Sequence, residues 1–120
     1  MKSAQASATL TLGQFEQEVL MAVYRRAGDA YSVTVKEELR ELVGKNPALG
    51  TISVTLSRLE KRGLLASRLE DGSQQRLGRP RRLFRLTSLG ARALNQVHQL
   101  HQRLWDGIEQ VGLKGRGEKA

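Results

Sequence analysis

Five arginines, Arg76, Arg79, Arg81, Arg82 and Arg85, stand within ten residues, and no acid interrupts them. Like charges at that density repel one another unless a counter-charge is supplied. The guanidinium fork is suited to paired hydrogen bonds with phosphate oxygens. A second set lies upstream. Thr51, Ser53, Thr55 and Ser57 offer short hydroxyls, and Arg58, Lys61 and Arg62 follow them. Hydroxyls of this kind meet phosphates or base edges, and the methyl of Thr55 or Val54 can touch a thymine methyl. The Arg58 fork matches the two acceptors of guanine, with a phosphate as its alternative target. Lys61 and Arg62 read as phosphate contacts, or as cations that answer the negative end of a helix. The arginine run reads as contacts to backbone phosphates or to a narrow minor groove. Lys36, further upstream, reads as a flanking phosphate contact.

The whole composition agrees with that chemistry. Twenty Lys and Arg face twelve Asp and Glu, a formal net charge of +8, and the pI is near 10.6. Such an excess favours a polyanionic partner through Coulomb attraction and counterion release. Other chemistries find no support. With no cysteine, disulfides, thiolate metal sites and cysteine nucleophiles are excluded, which fits a cytoplasmic location. His98 and His101 are three apart, but no carboxylate or thiol stands at a supporting spacing, so neither a metal nor another cofactor is expected. No Gly-rich phosphate loop or nucleophile elbow appears, so the chain does not read as an enzyme. No apolar stretch approaches the ~20 residues of a membrane span.

The elements that must hold these residues follow from periodicity. Residues 11–27 carry Leu12, Phe15, Val19 and Met21 to Val23 at helical spacing, with Thr11 and Gln14 as a capping box and Gly28 as a stop. Tyr31, Ser32 and Val33 read as a short edge strand. Thr34 and Glu37 then open a second helix that closes at Gly44, and a turn at Asn46-Pro47 leads to a third, over residues 50–62. There Ile52, Leu56 and Leu59 form a narrow apolar seam, and the opposite side holds Thr51, Val54, Thr55, Arg58, Lys61 and Arg62. Two helices joined by a short turn, the second with a polar and basic face, form a helix-turn-helix. Strands over 64–70 and 82–87 flank a polar loop, making an arginine-rich hairpin, or wing. The last helix, 88–111 with Thr87 as cap, carries Ala93, Val97, Leu100, Leu104, Ile108 and Val111 at heptad-like spacing, with Trp105 beside them. The expected organisation is therefore a loose arm over 1–10, a winged helix-turn-helix over 11–87, a dimerisation helix over 88–111 and a disordered tail over 112–120. The fold class is mainly α with a small β-hairpin.

Three stretches, 12–20, 50–64 and 78–90, each resemble a segment of the PadR family of winged-helix regulators: its opening helix, its recognition helix with the Arg-Leu-Glu-x-x-Gly-Leu exit, and its second wing strand leading into the last helix. They occur in family order and spacing and span roughly residues 10–110. Two positions depart from the pattern: Ser53 stands where many members have Tyr, and Ala48 where members often have a capping Ser. The resemblance implies a regulator of the family's short form that binds double-stranded DNA as a homodimer on a pseudo-palindromic operator, by family habit as a repressor. It further implies dimerisation through the last helix, with Val97, Leu100, Leu104, Trp105 and Ile108 at the interface, assisted by the first helix. In some members the dimer helices frame a cavity for flat aromatic ligands. Trp105 could stack on such an effector, although filling the interface is the plainer reading.

Overall fold

A computed structural model describes residues 11–70 and 80–112, so the 1–10 arm, residues 71–79 of the hairpin loop and all of the tail beyond Gly112 lie outside the described residues. The first helix, α1 (Gln14–Arg25), is capped two residues later than the sequence suggests. The Glu16 carboxylate accepts from the Gly13 N–H at 2.9 Å and does the capping that Thr11 and Gln14 were expected to do. Its buried face is Val19, Leu20, Ala22 and Val23, and Gly28 at φ 90° turns the chain.

The second helix, α2 (Ser32–Val43), begins inside the stretch expected to be an edge strand. Tyr31 is its N-cap, and Thr34, read as the cap, sits three positions on: its hydroxyl accepts from the Tyr31 N–H at 3.0 Å and donates to the Asp29 carbonyl at 2.6 Å. A trace of strand pairing survives just before the helix, where the Ala30 carbonyl accepts from the Phe84 N–H at 2.8 Å. Gly44 ends α2 in the left-handed conformation, φ 71°. Helix α3 (Leu49–Lys61) follows after a short connector and ends at Gly63, φ 81°.

Strands β1 (Leu65–Leu69) and β2 (Arg82–Leu86) pair antiparallel, with Leu65 opposite Leu86 and Leu69 opposite Arg82. Helix α4 (Ser88–Leu104) is capped as the sequence indicates: the Thr87 hydroxyl accepts from the Gly90 N–H at 3.1 Å and donates to the Gly63 carbonyl at 2.6 Å. The core is shared by α1, α2 (Val35, Leu39), α3 (Ile52, Leu56, Leu59) and the hairpin (Leu64, Leu65, Phe84), with Ala93 from α4. Burial of this apolar surface is what makes the helices permanent, since helices this short are marginal alone. Three helices with a hairpin at their end and a trailing helix make a mainly α, winged helix-turn-helix architecture.

The trailing helix is shorter than its seam suggested. Trp105 is the C-cap of α4 and Gly107 adopts φ 76°, so Ile108 and Val111 lie past the helix end. The reason is local: Asp106-Gly107 is a turn pair, and the left-handed glycine breaks the helical path that would have kept Ile108 on the Leu100–Leu104 face. No helix among the described residues is long and apolar enough to cross a membrane.

Candidate nucleic-acid interface

Packing of α3 decides which of its side chains can reach a partner. Ile52, Leu56 and Leu59 point into the core, leaving Gly50, Thr51, Ser53, Val54, Ser57, Arg58 and Lys61 exposed. These exposed positions carry no acid. The side chains of Arg58 and Lys61 make no hydrogen bond or ion pair with any described residue. At the start of the helix Ala48 is the N-cap and supplies no side-chain acceptor. First-turn N–H groups there are left for solvent or an anion.

Three of the residues expected on this surface are otherwise engaged. Thr55 is buried, and its hydroxyl donates to the Thr51 carbonyl one turn back at 2.9 Å. A position three residues after Ile52 and next to Leu56 lies at the edge of the core stripe rather than opposite it. Arg62 is half-buried, with a guanidinium that reaches the Glu16 carboxylate at 3.2 Å and the Thr11 carbonyl at 2.6 Å. It ties the exit of α3 to the entry of α1. Lys36 donates its ammonium to the Pro47 carbonyl at 2.6 Å, bracing the connector between α2 and α3.

The hairpin divides its arginines. Arg76 and Arg79 lie outside the described residues. Arg82 is exposed and donates to the Ser67 hydroxyl at 2.9 Å, which in turn donates to Glu60 of α3 at 2.7 Å. That relay fastens the hairpin to the helix beside it. Arg81 is held at the base of the loop: its Nε donates to Glu70 at 2.7 Å, Asp29 lies 3.7 Å away, and the guanidinium stacks over the Tyr31 ring at 4.5 Å from the centroid. The hydrogen bond to Glu70, then Tyr31, raises the guanidinium's pKa above the ordinary arginine value. Arg68 and Arg85 lie exposed on the other face of the hairpin, in register across from Leu83 and Ala66. Neither Arg68 nor the Tyr31–Glu70–Asp29 group stood out in the sequence, because nothing in local spacing links residues 29, 31, 70 and 81.

Along α4 only Gly90 and Ala93 are buried. Leu94 and Val97 line an apolar groove of about 260 Å³ with Met21, Leu39, Leu42 and Val43, rimmed by His98 and His101. Beyond it Leu100, Leu104 and Trp105 are 46, 63 and 48% exposed. Among the described residues no third metal-ligating side chain joins the two histidines.

Residues 19–96, well over half the chain, match the family model described as the transcriptional regulator PadR-like family. The chain belongs to that family. Its fold is also that of solved PadR structures. A PadR family transcriptional regulator from Eggerthella lenta is 30% identical with a TM-score of 0.63, the match covering 80% of this chain and 79% of that one. A PadR-like transcription factor from Bacteroides fragilis is 19% identical with a TM-score of 0.66, covering 90 and 96% of the two chains. A third, from Clostridium difficile, is 21% identical with a TM-score of 0.63 and coverage of 80 and 94%. No protein with a curated description matches the sequence. As a PadR protein the chain is a DNA-binding transcriptional regulator and not an enzyme.

Proposed function

We propose that this PadR protein is a cytoplasmic repressor that binds a pseudo-palindromic operator as a homodimer, each protomer offering α3 to a major groove and the hairpin to the flanking backbone. One observation carries the reading: the outward side of α3 is small, hydroxyl-bearing and cationic, and its Arg58 and Lys61 side chains have no protein partner among the described residues. Thr51, Ser53 and Ser57 contact phosphates or base edges near the start of the helix, where the uncapped N–H groups favour a phosphate. Arg58 reads a base and Lys61 a phosphate. Arg76, Arg79 and Arg82 meet the backbone, whereas Thr55, Arg62 and Lys36 serve the protein's own structure first. Dimerisation joins the two α4 helices through Val97, Leu100, Leu104 and Trp105, so that two copies of α3 can address half-sites one helical turn apart. A flat aromatic effector stacking on Trp105 would relieve repression by altering that spacing.

Binding to random-sequence duplex DNA across a salt series tests the reading. Affinity should fall steeply with salt, with a log–log slope on the order of −5 to −10 for a dimer. Arg58→Ala should weaken the preferred site by about 1–3 kcal/mol and flatten base preference at one position of each half-site. Absence of retention at low salt would sink the reading and favour a protein-binding winged helix; equal loss on all sequences would make Arg58 a phosphate contact.

A further inference from the structure

Arg81 belongs by sequence to the cationic run, yet its surroundings are those of a strut. Its guanidinium lies between two carboxylates, Glu70 at 2.7 Å and Asp29 at 3.7 Å, so the group adds no positive charge to the surface. Its face is taken by the Tyr31 ring. A guanidinium already paired and stacked has little left to offer a phosphate. The anchor on the other side is firm. Tyr31 is the N-cap of α2, and the buried Thr34 hydroxyl, bonded to both the Tyr31 N–H and the Asp29 carbonyl, holds that turn. Glu70 and Arg81 also close the base of the loop through their backbones, the Glu70 N–H donating to the Arg81 carbonyl at 2.7 Å. Three residues beyond Arg81, in β2, Phe84 donates to the Ala30 carbonyl. The described base of the hairpin is thus fastened to the turn between α1 and α2 through Arg81 and Phe84.

We propose that Arg81 is a positioning residue for DNA binding: clamped by Glu70, Asp29 and Tyr31, it fixes the base of the hairpin against the turn between α1 and α2, and so the placement of the hairpin relative to α3. This rests on the DNA-binding reading above. The clamp reduces the conformational freedom that the base of the hairpin would otherwise lose on binding.

The sign of one substitution separates positioning from charge. Glu70→Gln removes a negative charge from a protein that binds a polyanion, so Coulomb attraction alone predicts tighter binding. The clamp predicts the reverse, a loss of about fivefold. Arg81→Lys keeps the charge but not the stacked, forked geometry, and should lose affinity to a similar degree, about fivefold. Tyr31→Ala, which removes the ring, should resemble Arg81→Lys. Affinities are measured on the full chain with a fixed duplex at one salt concentration, beside thermal melts that confirm folding. Tighter binding by Glu70→Gln, or parent-like binding by Arg81→Lys, overturns the proposal while leaving the DNA reading intact. A parent chain that does not hold the duplex overturns both.

Discussion

Glu38 is a buried carboxylate on α2 held by two guanidinium groups at the end of α1, Arg25 at 2.8 Å and the C-cap Arg26 at 2.6 Å. The hydrogen bonds from Arg25 and then Arg26 outweigh burial and keep its carboxyl below the usual range. A depressed folded-state value means that the stability supplied by this carboxylate is fully present above the unfolded value of about 4.5 and is lost as pH falls through the folded one. Glu38→Gln should therefore cost about 1–2 kcal/mol at neutral pH, less than a fully buried pair because Arg25 is half exposed. Denaturant midpoints at pH 7 and pH 3 provide the check. The gap between parent and variant should narrow at the lower pH, and an unchanged gap would mean that the pair contributes shape rather than charge. The same pattern explains which cations are already engaged within the protein. Arg62 and its acceptor Glu16 are 46 residues apart, and Lys36 and the Pro47 carbonyl are 11 apart. Residue type tells that a side chain is cationic; only folding tells whether an acceptor of the same protein reaches it first. The outward position of Arg58 could be read from spacing, since the seam of Ile52, Leu56 and Leu59 fixes the opposite face whatever the rest of the chain does.

Elements meet closely where α4 crosses the exit of α3. A Cβ built on Gly90 would lie 2.2 Å from the Leu64 carbonyl oxygen and 2.8 Å from a Leu86 methyl. The methyl can rotate away, but the carbonyl is backbone and is already bonded to the Thr87 N–H. Gly90→Ala would gain up to about 1 kcal/mol of helix propensity. The clash should outweigh it, for a net loss of about 1–3 kcal/mol. Thermal melts should show a midpoint lower by about 5 °C or more. A midpoint at or above the parent's would mean that α4 can shift outward at no cost. Much of this level was readable from the chain: the glycine stops at 28, 44 and 63 and the Thr87 cap rest on interactions within a few residues, and each strand of the hairpin has its own local pattern. What was not readable turns on competition between similar local signals. Thr34 and Glu37 fit a capping box, but Thr34 bonds back to Tyr31, so the cap of α2 lies three residues earlier. The heptad seam of α4 ran on in sequence through Gly107, where backbone freedom rather than side-chain pattern decides the outcome.

At the scale of the whole molecule the open question is what covers α4. Its outer half shows Leu100, Leu104 and Trp105 to solvent, next to a groove floored by Met21, Leu42, Val43 and Val97. A contiguous apolar surface of this kind is unusual on a protein that stays monomeric. A protein with a net charge of +8 that carries one α3 per protomer also gains from pairing, because a second half-site bound by the same particle acts at high effective concentration. Leu100→Asp combined with Leu104→Asp tests this without attacking the core, since both side chains are already substantially exposed and the monomer should keep its fold. Sedimentation or light scattering should report half the parent's mass. Operator binding should weaken on the order of 100-fold, with random-sequence binding less affected. Removal of the chain from Val97 onward should have the same effect on mass if the remaining domain stays folded. A doubly substituted chain that remains dimeric would move the interface off α4, and with it the expected spacing between the two copies of Arg58 on the duplex.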